Sequence, residues 1–600
     1  MLGLALNAGA TPTVDIHAVA GNFLPDATPN DGAVATSTAL DHPAGVGVDP
    51  DGNYVIAERA GYVQVLANSA TNPGYVLGSD CYGGSSPCVW TQGELFTIAG
   101  GHANLDDGVS ALDYSMDTPT GIAIDASGNV VVPLQGADEV IVVAVSTNNP
   151  GYPLRSDCYG GSSQCLWSQG DVYIVAGQAA SPGRLLDGSS AATAQLDTPD
   201  YATFDNSGNL IVDEYNGGVA VLALSGSNPG YVLGDDCGGG SAQCVWAEGD
   251  VFSLAAGPFS ESRGVAVDSS YNVVIADSDD QVLLVLAESS TNPGYSLTPD
   301  CGAGSSPCVW SPGVVFLISE NSLPAQDEPS GTAATGTAVG FPSGTVFDGQ
   351  GNLLVANNHY DVIDMLAMSD CSTGCPYGLN SYTQGDIYVI AGGGSPVTAT
   401  TQPPAGENGP ATSAFLGSVT ANYLALDNVN DAVLVAESSL NVVRTFDGGE
   451  IAATTTTYSV PPTFNVPTTT STTTTTSTTT TTTVPTTTTT LARKAPLRAN
   501  FYFALDVTSL SAAQKSHLAL LARTVKNERF PGLSIIGYSD PLSTGAAASE
   551  LGLARAQAVA SYLHQRLVAI GDGTVTIGVR AGGVLDKKPY SSDRVAVLSS

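Results

Sequence analysis

The sequence predicts a multidomain chain in which an all-β propeller of six four-stranded blades is joined by a disordered threonine-rich linker to a small α+β unit of βαβαββ order. Three observations predict it. One strand-forming unit returns six times before residue 450, residues 454–490 are almost only threonine, and the stretch after them alternates strand and helix periodicities. The boundaries are 1–14 for a lead-in, 15–450 for the propeller, 451–495 for the linker and 496–600 for the C-terminal unit.

The lead-in begins MLGLALNAGA, a short apolar piece closing on Ala8, Gly9 and Ala10, as expected of the end of a signal peptide whose basic beginning is missing. No apolar run in the chain is long enough to encode a transmembrane helix.

The repeated unit is clearest at residues 42–67, HPAGVGVDPDGNYVIAERAGYVQVLA, and returns from Thr118, Thr198, Ser262, Phe341 and Ala421. Each copy alternates apolar and other residues, turns at an Asp-x-x-Gly-Asn type corner, alternates again and adds a third short strand. A fourth strand follows five of the copies, at 95–101, 172–178, 251–257, 315–321 and 387–393, and a sixth, IHAVAG at 16–21, precedes the first copy. A ring whose last blade is completed by the N-terminal strand accounts for that permutation and leaves no open end.

Between the third and fourth strands the repeat carries an insertion: NPGYVLGSDCYGGSSPCVW at 72–90, with close copies at 149–167, 228–246 and 292–310 and a shorter one at 370–382. All ten cysteines fall here, in the local pairs Cys81/Cys88, Cys158/Cys165, Cys237/Cys244, Cys301/Cys308 and Cys371/Cys375. An even count in repeated pairs reads as disulfides made in an oxidising compartment; zinc wants four ligands, and no histidine or second pair recurs beside each one. The insertions are expected on one face of the ring as a crown of fingers. Their Tyr and Trp are expected to be the fingers' own small cores, with a sugar- or peptide-binding crown as the sharper alternative.

The AGG strand followed by NGPATSAFL at 408–416, or DGSSAATAQL at 187–196 and then Thr198-Pro199, resembles NHL repeats, a six-bladed β-propeller family. The resemblance covers about residues 15–448. It implies the fold and says little about activity. Some six-bladed relatives are lactonases or lyases that hold a metal in the central channel through Glu, Asp, Asn or His, which keeps a metal-dependent hydrolase or lyase as the alternative function. Here His17, His42, His102 and His359 occupy no equivalent positions, nothing marks a nucleophile and base, and Pro133 stands where other copies have Glu58, Asp213 or Asp277. No catalytic residue is assigned. The repeated Asp49, Asp125, Asp205, Asp268, Asp348 and Asp427 fit turn-capping rather than calcium, since no EF-hand pattern is present. No cofactor or metal is expected.

Charge is divided unequally. Residues 1–491 hold 5 Arg, no Lys and 49 acids, a net −44, whereas the remainder holds 13 basic and 7 acidic residues, a net +6. So acidic a propeller excludes nucleic acid as a partner recognised by charge and favours cations or basic partners. The linker has nothing to bury; at about 3.1 Å per residue it reaches on the order of 100 Å as a stalk, either bare or O-glycosylated.

Beyond it, strands are expected at 501–507, 533–537, 575–579 and 594–598, with helices at 511–527 and 545–568. GYSD at 537–540 and ELGLARAQAVASYL at 550–563 resemble the OmpA-like peptidoglycan-binding domain, with Leu551, Arg555, Ala556, Val559 and Leu563 in register. The resemblance implies that Asp540 and Arg555, fifteen residues apart as the family's ligand-binding pair are, hold the ammonium and carboxylate of diaminopimelate in the peptidoglycan stem peptide, and that Arg594 matches the last Arg of the family's Asn-Arg-Arg-Val segment. Ala548, Gly552, Tyr538 and Asp593 depart from the pattern and remove hydrogen-bonding groups. The expectation is an exported, extracytoplasmic protein of the cell envelope or cell surface, anchored non-covalently to peptidoglycan and displaying its propeller to an extracellular protein or small ligand.

Overall fold

The computed structural model describes most of residues 14–447, apart from several segments within them, and residues 498–502, 518, 532–539, 546–569, 575–584 and 595–599. The expected lead-in and linker lie outside the described residues.

Six antiparallel sheets follow one another along the chain. In the first blade, Pro43–Val48 lies innermost, followed outwards by Tyr54–Glu58, Tyr62–Leu66 and Glu94–Gly100. The inner strands Pro43–Val48, Ala123–Ile124, Pro199–Phe204, Ser262–Val267, Pro342–Phe347 and Tyr423–Asp427 each touch the next, and the last touches the first, so the ring is closed. Asp15–Ala20 is the outer strand of the sixth blade, paired with Val442–Asp447, as the permuted repeat requires. The second and third strands of each blade bury both faces because blades pack face to face, which is why they read as nearly continuous Val, Ile, Leu and Ala.

Five blades are not four-stranded, as the repeat predicts, but carry a two-residue strap outside the fourth strand: Ala33–Val34, Val109–Ser110, Ser189–Ser190, Thr332–Ala333 and Gly409–Pro410. Two residues are too few to show alternation, so no sequence period announces them. Each strap runs into a short 3₁₀ turn, and four of these turns pack on the outer strand of the preceding blade, clipping neighbours together. Asp31, Asp107 and Asp187 lead three straps and accept the N–H of Thr97, Ile174 and Ser253 at 2.8, 3.1 and 2.7 Å. Among the described residues blade four has no strap, and only six residues separate Ala255 from Ser262.

Ring closure rests on Arg444, which is fully buried on Val442–Asp447. Its Nε and Nη2 donate to Glu437, Nη2 also to the Phe415 carbonyl at 2.7 Å, and Nη1 lies 3.6 Å from Glu407. Glu407 in turn accepts the N–H of Ala18 on the N-terminal strand at 2.6 Å.

In the C-terminal unit the described sheet has the order Arg498–Tyr502, Val595–Ser599, Gly532–Ser539, Thr576–Val584, the last two being parallel. Helix Ala546–Ala569 packs on it through Ala556, Val559, Leu563 and Leu567 against Leu533 and Ile535, with helical Leu518 in the same core. Leu518 is the one described residue of the helix expected at 511–527. The first strand begins earlier than expected, at Arg498, because its partner Val595–Ser599 offers backbone groups that far, pairing Ser599 with Arg498.

Replacing Arg444 with Met is expected to lower the propeller's unfolding free energy by about 3–5 kcal/mol, because Glu437 and Glu407 lose their buried counter-charge. Equilibrium denaturation checks this. A loss under about 1 kcal/mol would mean that closure does not depend on this clamp.

Candidate functional site

The corner after each inner strand is built on one aspartate. Asp49 Oδ1 accepts the N–H of Asp51 and Asn53 at 2.9 and 2.8 Å; its Oδ2 accepts Asn53 Nδ2 at 2.7 Å and the Tyr75 hydroxyl at 3.0 Å. Asn53 Oδ1 then accepts the N–H of Asn68 and Ser69, where the insertion leaves the third strand. The same set recurs with Tyr152 on Asp125, Tyr231 on Asp205, Tyr295 on Asp268 and Tyr377 on Asp348. Blade six has no insertion, and Tyr54 of blade one supplies the hydroxyl to Asp427 at 2.6 Å. With both oxygens engaged, these carboxylates serve the corners rather than a cation. Gly52, Gly128, Gly208 and Gly351 take positive φ at the corner; Tyr271 holds that strained conformation in blade four and is compensated by its hydroxyl on Ser207 at 2.9 Å and an edge contact with Tyr231.

The described parts of the insertions pack on the blades. Each folds back over its own blade, with Trp90 stacked between Tyr75 and Phe96 of the outer strand and its Nε1 donating to the Ser69 carbonyl at 2.9 Å. Trp167, Trp246 and Trp310 repeat the sandwich. The aromatic rings are therefore the insertions' own cores. Disulfides join Cys81–Cys88, Cys158–Cys165, Cys237–Cys244 and Cys371–Cys375. Of the remaining expected pair, Cys301 with Cys308, only Cys308 is described. Cys308 is disulfide-bonded and packs beside Trp310 with its sulfur 3.0 Å from the Thr298 carbonyl oxygen, whereas Cys301 lies outside the described residues. Four joined pairs are thus described where five were expected.

Neighbouring insertions interlock: Gln169 Nε2 donates to the Gly74 carbonyl at 2.8 Å, and a Cβ on Gly170 would fall 2.5 Å from Val76. What each insertion exposes is the aliphatic residue before its Trp, namely Val89, Leu166, Val245 and Val309, the last 76% exposed. Their signal in the sequence is the repeated Cys-[Val/Leu]-Trp, in which the aromatic residue is the more conspicuous.

Along the axis, four inner strands bring a glycine inward, and Gly45 and Gly264 lie so close to the next blade that a Cβ would meet the Thr120 and Ser343 carbonyl oxygens at 2.1 and 2.6 Å. In the opposite blades three and six the same position is Tyr201 and Tyr423, whose rings stack across the axis with centroids 5.4 Å apart. Tyr423 donates to Asp200 at 2.6 Å, Gln135 Nε2 donates to the other Asp200 oxygen at 2.9 Å, and Tyr201 donates to the Leu424 carbonyl at 3.3 Å. Arg263 lies over the Tyr215 ring, 5.0 Å from its centroid, and bonds Glu261 at 3.3 Å. Burial raises the Asp200 carboxyl, partly offset by Tyr423, Arg263 and Arg59. Asp213 is held well above the usual carboxylate range by burial, with Asp200, Asp277 and Glu214 adding to it; the Ser262 hydroxyl beside it opposes the shift without reaching hydrogen-bonding distance. Aligning the copies by their glycines exposes both tyrosines. The alignment of Pro133 needs correction: it pairs with Val140 as Asp213 pairs with Val219, whereas Leu134 is the residue equivalent to Glu58 and Asp277.

Among the described residues, the one group with metal-ligand spacing is Asp107 with Cys158 and Cys165, and those sulfurs are joined in a disulfide. In the C-terminal unit Arg555 is fully buried on helix Ala546–Ala569. Asp540, Arg594 and Asp593 lie outside the described residues, as do the side chains of Tyr538 and Ala548.

No protein-family model matches this chain, and no curated protein does. Among solved structures, it is similar to a protein of unknown function from Bacteroides thetaiotaomicron at 11% identity, covering 72% of this chain and 76% of that one with a TM-score of 0.41. An auxiliary nutrient binding protein from the same organism is similar at 9% identity over 72% of this chain and 75% of its own, TM-score 0.38. The OmpA-like domain of FopA1 from Francisella tularensis is similar at 22% identity over 18% of this chain and 71% of its own, TM-score 0.15.

Three buried glutamates make stability depend on pH. Burial pushes Glu58, Glu214 and Glu288 up to about 8, against the N–H groups of Asp41, Asp197 and Val232 that they accept. Unfolded, a glutamate titrates near about 4.3, so the folded state binds the protons more tightly; the stabilisation is complete below that value and is lost as pH rises through about 8. The denaturation midpoint should therefore be higher at pH 5 than at pH 8, with a flatter profile in Glu58→Gln/Glu214→Gln. Equal midpoints at the two pH values in the parent would refute it.

Proposed function

We propose that this chain is an exported cell-envelope binding protein whose C-terminal unit holds peptidoglycan while its propeller presents a rigid surface to a ligand. The observation that carries the reading is the set of insertions: four described disulfides, the same Tyr–Asp bond in five blades and a Trp sandwich in four lock loops that the fold does not need for closure. Disulfides at such density belong to an oxidising compartment, and pre-ordered loops bind without an ordering cost. No described helix is long and apolar enough to cross a membrane.

For the wall-binding half, the support is the pairing of the described strands. Gly532–Ser539 and Val595–Ser599 are antiparallel neighbours with Gly537 opposite Ala596; in the sequence Asp540 directly follows the first strand and Arg594 directly precedes the second. Arg555 sits on the helix that packs across these strands, buried, where a guanidinium takes fixed partners. In this reading Asp540 takes the ammonium of diaminopimelate, and Arg555 and Arg594 take its carboxylate.

Sedimentation of the full chain with insoluble diaminopimelate-type peptidoglycan tests it. The parent should pellet with the wall, and Asp540→Asn should bind at least about tenfold more weakly while its circular dichroism is unchanged. A parent that stays in the supernatant, or an Asp540→Asn variant that pellets equally, would overturn the anchor.

A further inference from the structure

Among the described residues, the outer strand of every blade but one is capped by a strap of the same chain, and always in the same way. In blade one, Gly32 N–H donates to the Leu95 carbonyl at 2.9 Å, Ala35 N–H donates to the Gly93 carbonyl at 3.0 Å, and Asp31 accepts the Thr97 N–H at 2.8 Å. Blade two repeats this with Gly108 on Val172, Ala111 on Gly170 and Asp107 on Ile174; blade three uses Gly188, Ala191 and Asp187. Blade five uses Gly331, Ala334 and Ser330, and blade six Asn408, Ala411 and Glu407. The strap is thus an extended segment opening on an acid or hydroxyl residue, with two backbone donors three residues apart.

In blade four the Leu317 carbonyl accepts the Thr298 N–H of the blade's own insertion at 3.1 Å, while the groups that the straps bond elsewhere, here the Gly313 and Val315 carbonyls and the Val315 and Leu317 N–H groups of the edge strand Val314–Leu317, meet no strap among the described residues. Burial reports the same difference. Leu95, Val172, Val251, Ile387 and Ile16, which hold the equivalent place in the capped blades, are at most 1% exposed, whereas Val315 is only partly buried. Beside this edge Val232 packs at 3.1 Å on the Cβ position of Gly313, and Val232, Val309 and Val314 are all exposed. Proteins ordinarily cover such an edge, because a row of free N–H and C=O groups beside apolar side chains is a template for another strand.

We propose that the outer edge of blade four is a strand-addition site that takes an extended segment of a partner polypeptide, with strap-like chemistry: an Asp, Glu or Ser at its head, free N–H groups on the next residue and three beyond it, and small or aliphatic side chains between. The five internal straps say what fits this edge. The proposal deepens the reading of the propeller as a binding module, naming its ligand as an extended peptide and its place as the junction of blades three and four. Recognition is by main-chain hydrogen bonds, with the head residue reaching the Leu317 N–H and the exposed valines covering the segment's apolar side.

The probe is the first strap as a synthetic peptide, DGAVATSTAL, labelled with fluorescein and titrated against the oxidised full chain without peptidoglycan, so that its outcome is independent of wall binding. Saturable anisotropy is expected below about 1 mM. The same peptide N-methylated on its glycine and on its second alanine keeps its composition and leaves the protein untouched, but lacks both donors, and should bind at least about tenfold more weakly. Hydrogen exchange should slow across residues 313–318 on adding the parent peptide and stay unchanged in the outer strands of the other blades. Equal binding of the methylated peptide, no saturable binding, or protection elsewhere would overturn the proposal. So would light scattering that shows the full chain self-associated through this edge, since the occupant would then be a second copy.

Discussion

One carboxylate per blade, buried in five of the six, organises the propeller. The aspartate at the outer end of each inner strand accepts from two backbone N–H groups, from an asparagine side chain and from a tyrosine hydroxyl, so that a turn, a strand junction and an insertion are fixed by one side chain. A carboxylate in that setting is stable only while its partners stay in place, and losing one leaves a buried acceptor unpaired. The insertions are therefore welded to the corners rather than appended to them. Blade six shows how strict the requirement is: without an insertion of its own, it borrows Tyr54 from the next blade.

The axis obeys a second constraint, set by size. Six inner strands converging on one line leave no room for side chains where they meet, which is why Gly45 and Gly264 have carbonyl oxygens within 3 Å of where a Cβ would be. Tyr201 and Tyr423 break the rule in opposite blades and meet each other, replacing what would be a narrow bore with a stacked pair bonded to Asp200. Such a bridge couples blades three and six directly, across the ring rather than around it, and it does so with groups whose burial raises Asp200 and Tyr423 alike.

Most of the ring was legible because it depends on periodicity. The permuted strand at 15–20 was readable from a missing fourth strand at the other end, and the four described disulfide pairs from their spacing. The straps were not readable as strands, since their pairing is decided by the neighbouring outer strand and by an Asp-Gly that looks like any turn. The bare edge of blade four was legible only in retrospect, as the short interval between Ala255 and Ser262. Tyr201, Tyr423 and Arg263 resist sequence reading for another reason: their partners lie on other blades, and a pattern read along one copy does not say which residues of distant copies meet. The site residues carried by resemblance, Asp540 and Arg594, are in segments outside the described residues, while Arg555 is found buried on the helix where it was expected.

Blade six lacks an insertion because the chain itself leaves there: Val442–Asp447 is a third strand, and the polypeptide departs from its end where the other blades form their loops. Under the proposed anchoring, a pull from the C-terminal side would enter along the axis of that strand. It is resisted in shear by two antiparallel neighbours at once, Ala432–Glu437 on one side and Asp15–Ala20 on the other, and sliding the strand would drag the Arg444 guanidinium out of its buried acids. Resistance to force is a matter of unfolding rate rather than of equilibrium stability, and a sheared ladder must break many bonds together. The seam that closes the ring is thus also the last described strand of the propeller, and in a chain held by its C-terminal unit, as proposed, its strength under pull would set how long the ring survives.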